Sequence, residues 1–239
     1  MEKAKLTNFI SKYYLNGLIQ SVSWNLNDSI TTKFISDDKS LVGEVSMKGF
    51  NGEKLKMGVY NTDVLNKLIS VLGNDINFKV NTIGDKALSL TIDDNSTTAN
   101  FMLSDLAVIP NAPELKQLPP FQLKVKITRD FIDKFIKAKG ALADVELFTV
   151  SKNQKSGEYE IVIGNSNTNS TRISLKVETE VVEDINPISF PTKYFREILA
   201  ANKDCSGGTM QVSSEGLALV QFDIDGFDAK YYLVEISAD

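Results

Sequence analysis

Apolar residues at Phe131, Ile132, Phe135 and Ile136 fall at i, i+1, i+4 and i+5, the spacing of one helix face. Thr128 stands just before them, where a side-chain oxygen can accept a free backbone N–H. The phrase returns three times: Thr7 before Phe9, Ile10 and Tyr13; Thr62 before Leu65, Leu68 and Ile69; Thr192 before Phe195, Ile198 and Leu199. The pattern predicts four short helices over 5–14, 63–72, 129–142 and 193–201, each opened by its threonine. The second should stop at Gly73-Asn74, a glycine where a helix C-terminus wants one.

Between the helices the period changes to strand-like alternation. The first half predicts strands over 19–25, 30–36, 41–48, 55–60, 77–82, 87–92 and 97–103, with turns at Asn27-Asp28, Asp37-Asp38, Asn51-Gly52 and Gly84-Asp85. The second predicts strands over 122–127, 145–150, 159–163, 172–177, 188–190, 210–213, 217–223 and 230–236, with 178–184 as an acidic loop. Four of the six prolines, Pro110, Pro113, Pro119 and Pro120, crowd into 105–120, which should run extended and outside any sheet. Thr7 and Thr128 lie 121 residues apart, Thr62 and Thr192 130. The chain therefore divides into two similar α+β domains, 1–104 and 121–239, joined by a connector at 105–120. A unit of one helix and three or four strands cannot bury its own apolar face, so two should pair their helices beneath antiparallel sheets.

Charge refines this picture. The net charge over 239 residues is −5, which excludes a protein basic throughout but not a basic surface. The segments 2–16, 62–73, 126–144 and 192–204 hold 12 basic and 7 acidic side chains, leaving 14 and 24 to the rest of the chain. Lys5, Lys12, Lys67, Arg129, Lys137, Lys193 and Arg196 point away from the apolar stripes. Solvated helix faces and a mildly positive surface for loose, sequence-independent phosphate contact both account for them; base readout in a groove fits neither.

The sequence contains no histidine, which removes Ser-His-Asp and Cys-His catalysis and every His-containing zinc site. Cys205 is alone, beside Gly207 and Gly208, so no internal disulfide forms and a turn role fits better than a nucleophile. No phosphate-cradling glycine loop is present. The run from Asp223 to Asp228 reads as an Asp-Gly hairpin turn rather than a calcium loop. The paired carboxylates Asp93-Asp94 and Glu183-Asp184 lie in predicted turns. No cofactor or metal is expected. Asn27, Asn95 and Asn169 head glycosylation-like triplets that read as polar loops. No secretory signal or membrane span is read, so a cytoplasmic protein without membrane partners is expected, in the nucleoid or an infected host cell. Its Asn, Lys and Ile content points toward an AT-rich genome, such as a phage's.

The four helix phrases, the proline-bearing connector between similar domains, the run MGVYNTDVLNKLISVL (57–72) and the ending KYYLVEI (230–236) together resemble a DNA polymerase sliding clamp. This is the family of proliferating cell nuclear antigen and the T-even-type phage clamps, and the resemblance covers the whole chain. It implies a non-enzymatic processivity factor: a homotrimeric ring around duplex DNA that tethers a replicative polymerase and is placed there by a clamp loader ATPase. Three chains contribute 12 helices; packed about 8–10 Å apart, they leave an opening about 30–40 Å across. By this resemblance, the seven helix cations named above line the hole. Ring closure should be head-to-tail, with Thr97, Ala99, Phe101 and Leu103 of one chain pairing with Arg172, Ser174 and Lys176 of the next and so covering two sheet edges. Partner peptides should dock beside Ile109, Leu115, Leu118, Val234, Glu235 and Ile236. Two rival readings are a duplicated-domain structural or interaction protein, such as a virion component that does not encircle DNA, and a carboxylate-based hydrolase.

Overall fold

The first helix, α1 (Lys3–Tyr14), begins before its threonine. Glu2 occupies the N-cap without a side-chain bond, and Thr7 lies inside the helix, its hydroxyl donating to the carbonyls of Lys3 at 3.2 Å and Ala4 at 3.0 Å. The computed structural model describes residues 1–164 and 171–236, so Asn169 lies outside the described residues. These residues fall into two compact units. One comprises Met1–Ser36, Gly43–Ala112 and Gly226–Ala229; the other comprises Asp37–Val42, Pro113–Asp225 and Lys230–Asp239. Among the described residues no helix is long and apolar enough to cross a membrane.

In the first unit, β1 (Val22–Leu26), β2 (Ser29–Ile35), β3 (Leu41–Lys48) and β4 (Leu55–Val59) make an antiparallel run in the order β4-β1-β2-β3. Its register sets Trp24 between Thr32 and Met57. β5 (Asn77–Ile83), β6 (Lys86–Asp93) and β7 (Thr98–Met102) form the expected meander, in that order. The helix α2 (Thr62–Ser70) packs against α1 and β7. The apolar face of α1 meets the sheet: Phe9 and Tyr13 set their rings edge-on to Trp24 at 5.3 and 6.2 Å, and all three are fully buried. Gly43 has no alternative, because a Cβ there would stand 2.1 Å from the Phe34 ring.

α2 ends at Ser70, three residues before Gly73, and Gly73 is not left-handed. Its N–H goes instead to the Asp94 carboxylate at 2.5 Å, while Lys3 Nζ donates to the end carbonyls Ser70 O at 3.0 Å and Leu72 O at 2.5 Å. Asp94 also accepts from Ser96 N at 2.9 Å, Ser96 Oγ at 2.8 Å and Thr97 N at 2.6 Å. These donors, the Gly73 N–H foremost, hold its carboxyl well below the usual carboxylate range. A depressed carboxyl stabilises the fold above the unfolded pKa, near 3.9, and that contribution is lost as pH falls through the lower folded value. Asp94→Asn is therefore expected to melt below the native protein at pH 7, with the gap narrowing below about pH 4. Thermal melts followed by Trp24 fluorescence across pH 2–7 check this.

The second unit holds β8 (Leu123–Ile127), β14 (Gly207–Ser213), β15 (Leu217–Ile224) and β16 (Phe227–Val234). Joined by β12 (Thr179–Val181), they run in the order β12-β8-β14-β15-β16. Its other sheet runs β11-β10-β9-β13, built from β9 (Leu147–Lys152), β10 (Tyr159–Ile163), β11 (Ile173–Lys176) and β13 (Ile188–Pro191). The expected acidic loop thus contains a strand. Glu180 and Glu178 sit beside lysines of β8, with Lys124 at 3.1 Å and Lys126 at 2.9 Å, so cross-strand ion pairs offset the crowded carboxylates. The Asp225-Gly226 turn joins β15 and β16, with Gly226 at φ 75°, a left-handed conformation that glycine adopts without strain.

Helices α3 (Arg129–Ala141) and α4 (Thr192–Ala201) pack together. Phe195 centres an aromatic cluster, 4.8 Å from both Phe135 and Phe148 and 6.3 Å from Phe131. Of the four threonines only Thr128 caps its helix, accepting the Phe131 N–H at 3.2 Å. Asn61 caps α2, accepting the Val64 N–H at 3.1 Å. Thr62 and Thr192 are instead buried, and their hydroxyls donate to the carbonyls of Gln20 and Val145, each at 2.8 Å. Gln20 and Val145 both follow the preceding helix, so the two units repeat the same tie between the end of one helix and the start of the next. Thr128→Ala is expected to cost about 1 kcal/mol through the lost cap, whereas Thr7→Ala, which removes no cap, should cost less. Urea denaturation of both variants measures the difference.

Candidate nucleic-acid and assembly surfaces

Both helix pairs carry cations, but their surroundings differ. Lys137 is exposed and Lys5 half-exposed, and neither has an ion-pair partner among the described residues. Arg129, exposed at the first position of α3, donates from Nη2 to Lys203 O at 3.4 Å. Lys67 is held by Asp63 one turn earlier at 2.6 Å, and this contact raises the pKa of the lysine and lowers that of the aspartate. Lys193 is held by Asp38 at 2.9 Å, which also accepts from Tyr194 Oη at 2.9 Å; the Asp38 contact raises the lysine's pKa. Arg196 pairs with its neighbour Glu197. Surface pairs of this kind contribute little stability, but they do reduce the field that each cation projects.

Lys12 is a correction. The expected outward lysine is fully buried, with its ammonium 5.1 Å from the centre of the Phe227 ring. The buried face of α1 is wider than the stripe of Leu6, Phe9, Ile10 and Tyr13, and position 12 lies on its flank. The long stem packs there and the charge rests on an aromatic face. Three helix-associated lysines absent from the expected set are also committed: Lys3 to the end of α2, Lys139 to the carbonyl of Leu142 at 3.4 Å, and Lys134 to Asp130 at 2.7 Å.

The strands expected at a subunit contact are both terminal in their sheets, β7 in β5-β6-β7 and β11 in β11-β10-β9-β13. Ala99 and Phe101 are buried, each 6% exposed, so β7 can offer a partner its backbone edge but not these two side chains. Thr97 and Leu103 flank β7, Arg172 precedes β11, and Ser174 and Lys176 are exposed on β11.

The expected peptide groove divides. Leu115, Leu118, Val234 and Ile236 are 37–41% exposed, and Glu235 is exposed, all in the second unit. Ile109 is a second correction: it is 8% exposed and belongs to the first unit. Its side chain lies over Gly58, where Ser104 N also donates to Gly58 O at 3.0 Å, so it anchors the root of the connector. The segment Asp37–Val42, expected as a turn and the start of a strand, groups with the tail: Val234 N donates to Ser40 O at 3.0 Å. Glu235 N and Ile236 N donate to Gly216 O at 2.8 Å and Ser189 O at 3.0 Å, which fixes the tail backbone and leaves its side chains outward.

Among the described residues, no three Cys, Asp or Glu side chains gather as a metal site. Asp184 pairs with Lys152 at 2.7 Å and accepts from Tyr159 Oη at 3.2 Å, a structural use of the carboxylate.

No family model and no curated protein matches this chain by sequence. The fold does match a solved structure, that of proliferating cellular nuclear antigen from Entamoeba histolytica, with a TM-score of 0.75 over 99% of this chain and 96% of that one, at 16% identity. The chain has the sliding-clamp fold.

Proposed function

We propose that the chain is one subunit of a homotrimeric DNA sliding clamp. Three copies close head-to-tail around duplex DNA and tether a replicative polymerase, and a clamp loader ATPase opens the ring. The protein performs no catalysis, because its grip is topological and weak phosphate contacts let it slide. The observation that carries this reading is the likeness of fold over nearly the whole chain. Two features of the chain support it: each unit has a packed helix pair bearing cations at least partly exposed, and among the described residues each has a strand terminal in its sheet, β7 or β11.

In this reading Lys5, Arg129, Lys137, Lys193 and Arg196 face the DNA. Backbone pairing along 97–103 and 172–176 closes the ring. Leu115, Leu118, Val234 and Ile236, with the Asp37–Val42 segment beside them, receive partner peptides. The test is topological. Clamp loaded on nicked circular DNA should remain bound through a high-salt wash and leave when the circle is linearised. Equal retention on linear and circular DNA would overturn encirclement.

A further inference from the structure

The sequence contains two Asn-Gly pairs, Asn16-Gly17 and Asn51-Gly52. An asparagine side chain is open to attack by the backbone nitrogen of the residue that follows it. A Cβ on that residue hinders the approach, and glycine has none. The fold treats the two pairs differently. Asn16 sits in the tight turn Leu15–Gly17 after α1, at φ 56° and ψ 37°. That turn is closed by bonds from Leu18 N to Leu15 O at 3.3 Å and from Ile19 N to Tyr14 O at 3.1 Å. Asn16 therefore cannot rotate its backbone toward ring closure until the turn opens.

Asn51 has no such restraint. It lies in the loop between β3 and β4, where residues 49–54 belong to no helix or strand, and Asn51, Gly52, Glu53 and Lys54 are all exposed. Among the described residues neither the Asn51 amide nor the Gly52 N–H has a hydrogen-bond partner. Packing also keeps the glycine in place. Phe50 sets its ring edge-on to Phe78 at 5.5 Å, and Phe78 stacks on the buried Trp24 at 6.5 Å. The Phe50 ring then lies against Gly52, where a Cβ would stand 2.3 Å from it. The packing of Phe50 thus fixes a glycine at this position and leaves the asparagine before it open to water.

We infer that Asn51 is a site of spontaneous covalent modification, by attack of Gly52 N on Asn51 Cγ. The N–Cγ bond forms, the Cγ–Nδ2 bond breaks and ammonia leaves, giving a succinimide. Water then adds to either ring carbonyl and breaks its bond to the Gly52 nitrogen, leaving aspartate or isoaspartate. Both products carry one more negative charge than asparagine, and the step needs neither oxidant nor enzyme. The attacking nitrogen must first lose its proton, so the rate rises with pH. The consequence for DNA rests on the ring reading. Lys5 Nζ would stand 3.4 Å from a Cβ on Gly49, so this loop borders a cation assigned to the DNA. Two residues of chain reach about 7 Å, within the roughly 8–10 Å over which charges act near physiological salt. The new carboxylate lowers the pull of Lys5 on phosphate.

Peptide mapping by mass spectrometry tests this on the full chain, incubated in neutral and in mildly alkaline buffer, folded and in urea. In the folded protein Asn51 should convert several times faster than Asn16, and faster still at the higher pH. In urea the two should convert alike. Asn51→Gln should remove the early acidic species, because its longer side chain closes a ring slowly. Equal rates at Asn16 and Asn51 in the folded protein would mean that the fold does not select between them. Conversion of Asn51 in urea alone would mean that the loop is held. Either result overturns the site. Retention on nicked circular DNA then separates the consequence from the chemistry. Asn51→Asp should be released at lower salt than Asn51→Gln. Release of both at the same salt overturns the effect on Lys5 and leaves the modification standing. A native chain that is not retained on the circle overturns the ring reading, whatever the peptide map shows.

Discussion

Reversing Lys5, Arg129 and Lys137 to glutamate should abolish clamp-dependent processive synthesis while leaving the mass of the assembled protein unchanged. None of the three has a carboxylate partner among the described residues, whereas Lys67, Lys193 and Arg196 each do. The unpaired cations therefore project the most field toward a phosphate backbone. Each reversal removes an attraction and adds a repulsion. Counterion release gives a slope of about −0.9 in log affinity against log salt for each phosphate contact. Losing such contacts in every subunit should weaken DNA retention at physiological salt by about 100-fold or more, and flatten its salt dependence. Lys193→Glu alone, one reversal against three, should do less. Product length on a long primed template, with polymerase and loader supplied, is the direct measurement. Full-length products from the triple variant would overturn the assignment of these cations to the DNA side.

The architecture was legible because period is a property of the whole face. Phe131, Ile132 and Phe135 are buried as their spacing requires, and β3, β10 and the β5-β6-β7 meander lie where alternation puts them. What failed depended on single contacts. The four threonines look alike in sequence, but a cap is decided by the backbone around it: Thr128 has the extended conformation of an N-cap, whereas Thr62 and Thr192 lie inside their helices and turn their hydroxyls to another segment. The strand β12 was hidden because its glutamates read as a solvated run, and only the lysines of β8, more than 50 positions away, make it a sheet edge. Lys12 and Ile109 misled for the same reason. Position on a helical wheel does not report how wide the buried face is, and proline content does not report which apolar residue anchors a connector. The terminal places of β7 and β11 in their sheets, among the described residues, are also products of strand order, which periodicity does not encode; only the resemblance singles them out.

Phe195→Ala should cost about 3–5 kcal/mol, the range for deleting a buried aromatic side chain, and should do so in one unit. The ring is fully buried and touches Phe131, Phe135 and Phe148, which come from α3 and β9. Its loss removes the centre of the cluster, and relaxation of α4 cannot fill the space without dragging the buried hydroxyl of Thr192 from Val145 O. The chain has one tryptophan, Trp24, buried in the first unit, so its fluorescence follows that unit while far-UV circular dichroism follows both. In urea, the dichroism of the variant should show an early transition, with the fluorescence midpoint close to that of the native protein. A common shift of both signals would mean that the two units unfold as one cooperative body. An unmoved midpoint in both would mean that the aromatic cluster is not the keystone of the second unit, and that the stability of α4 comes from its backbone ties instead.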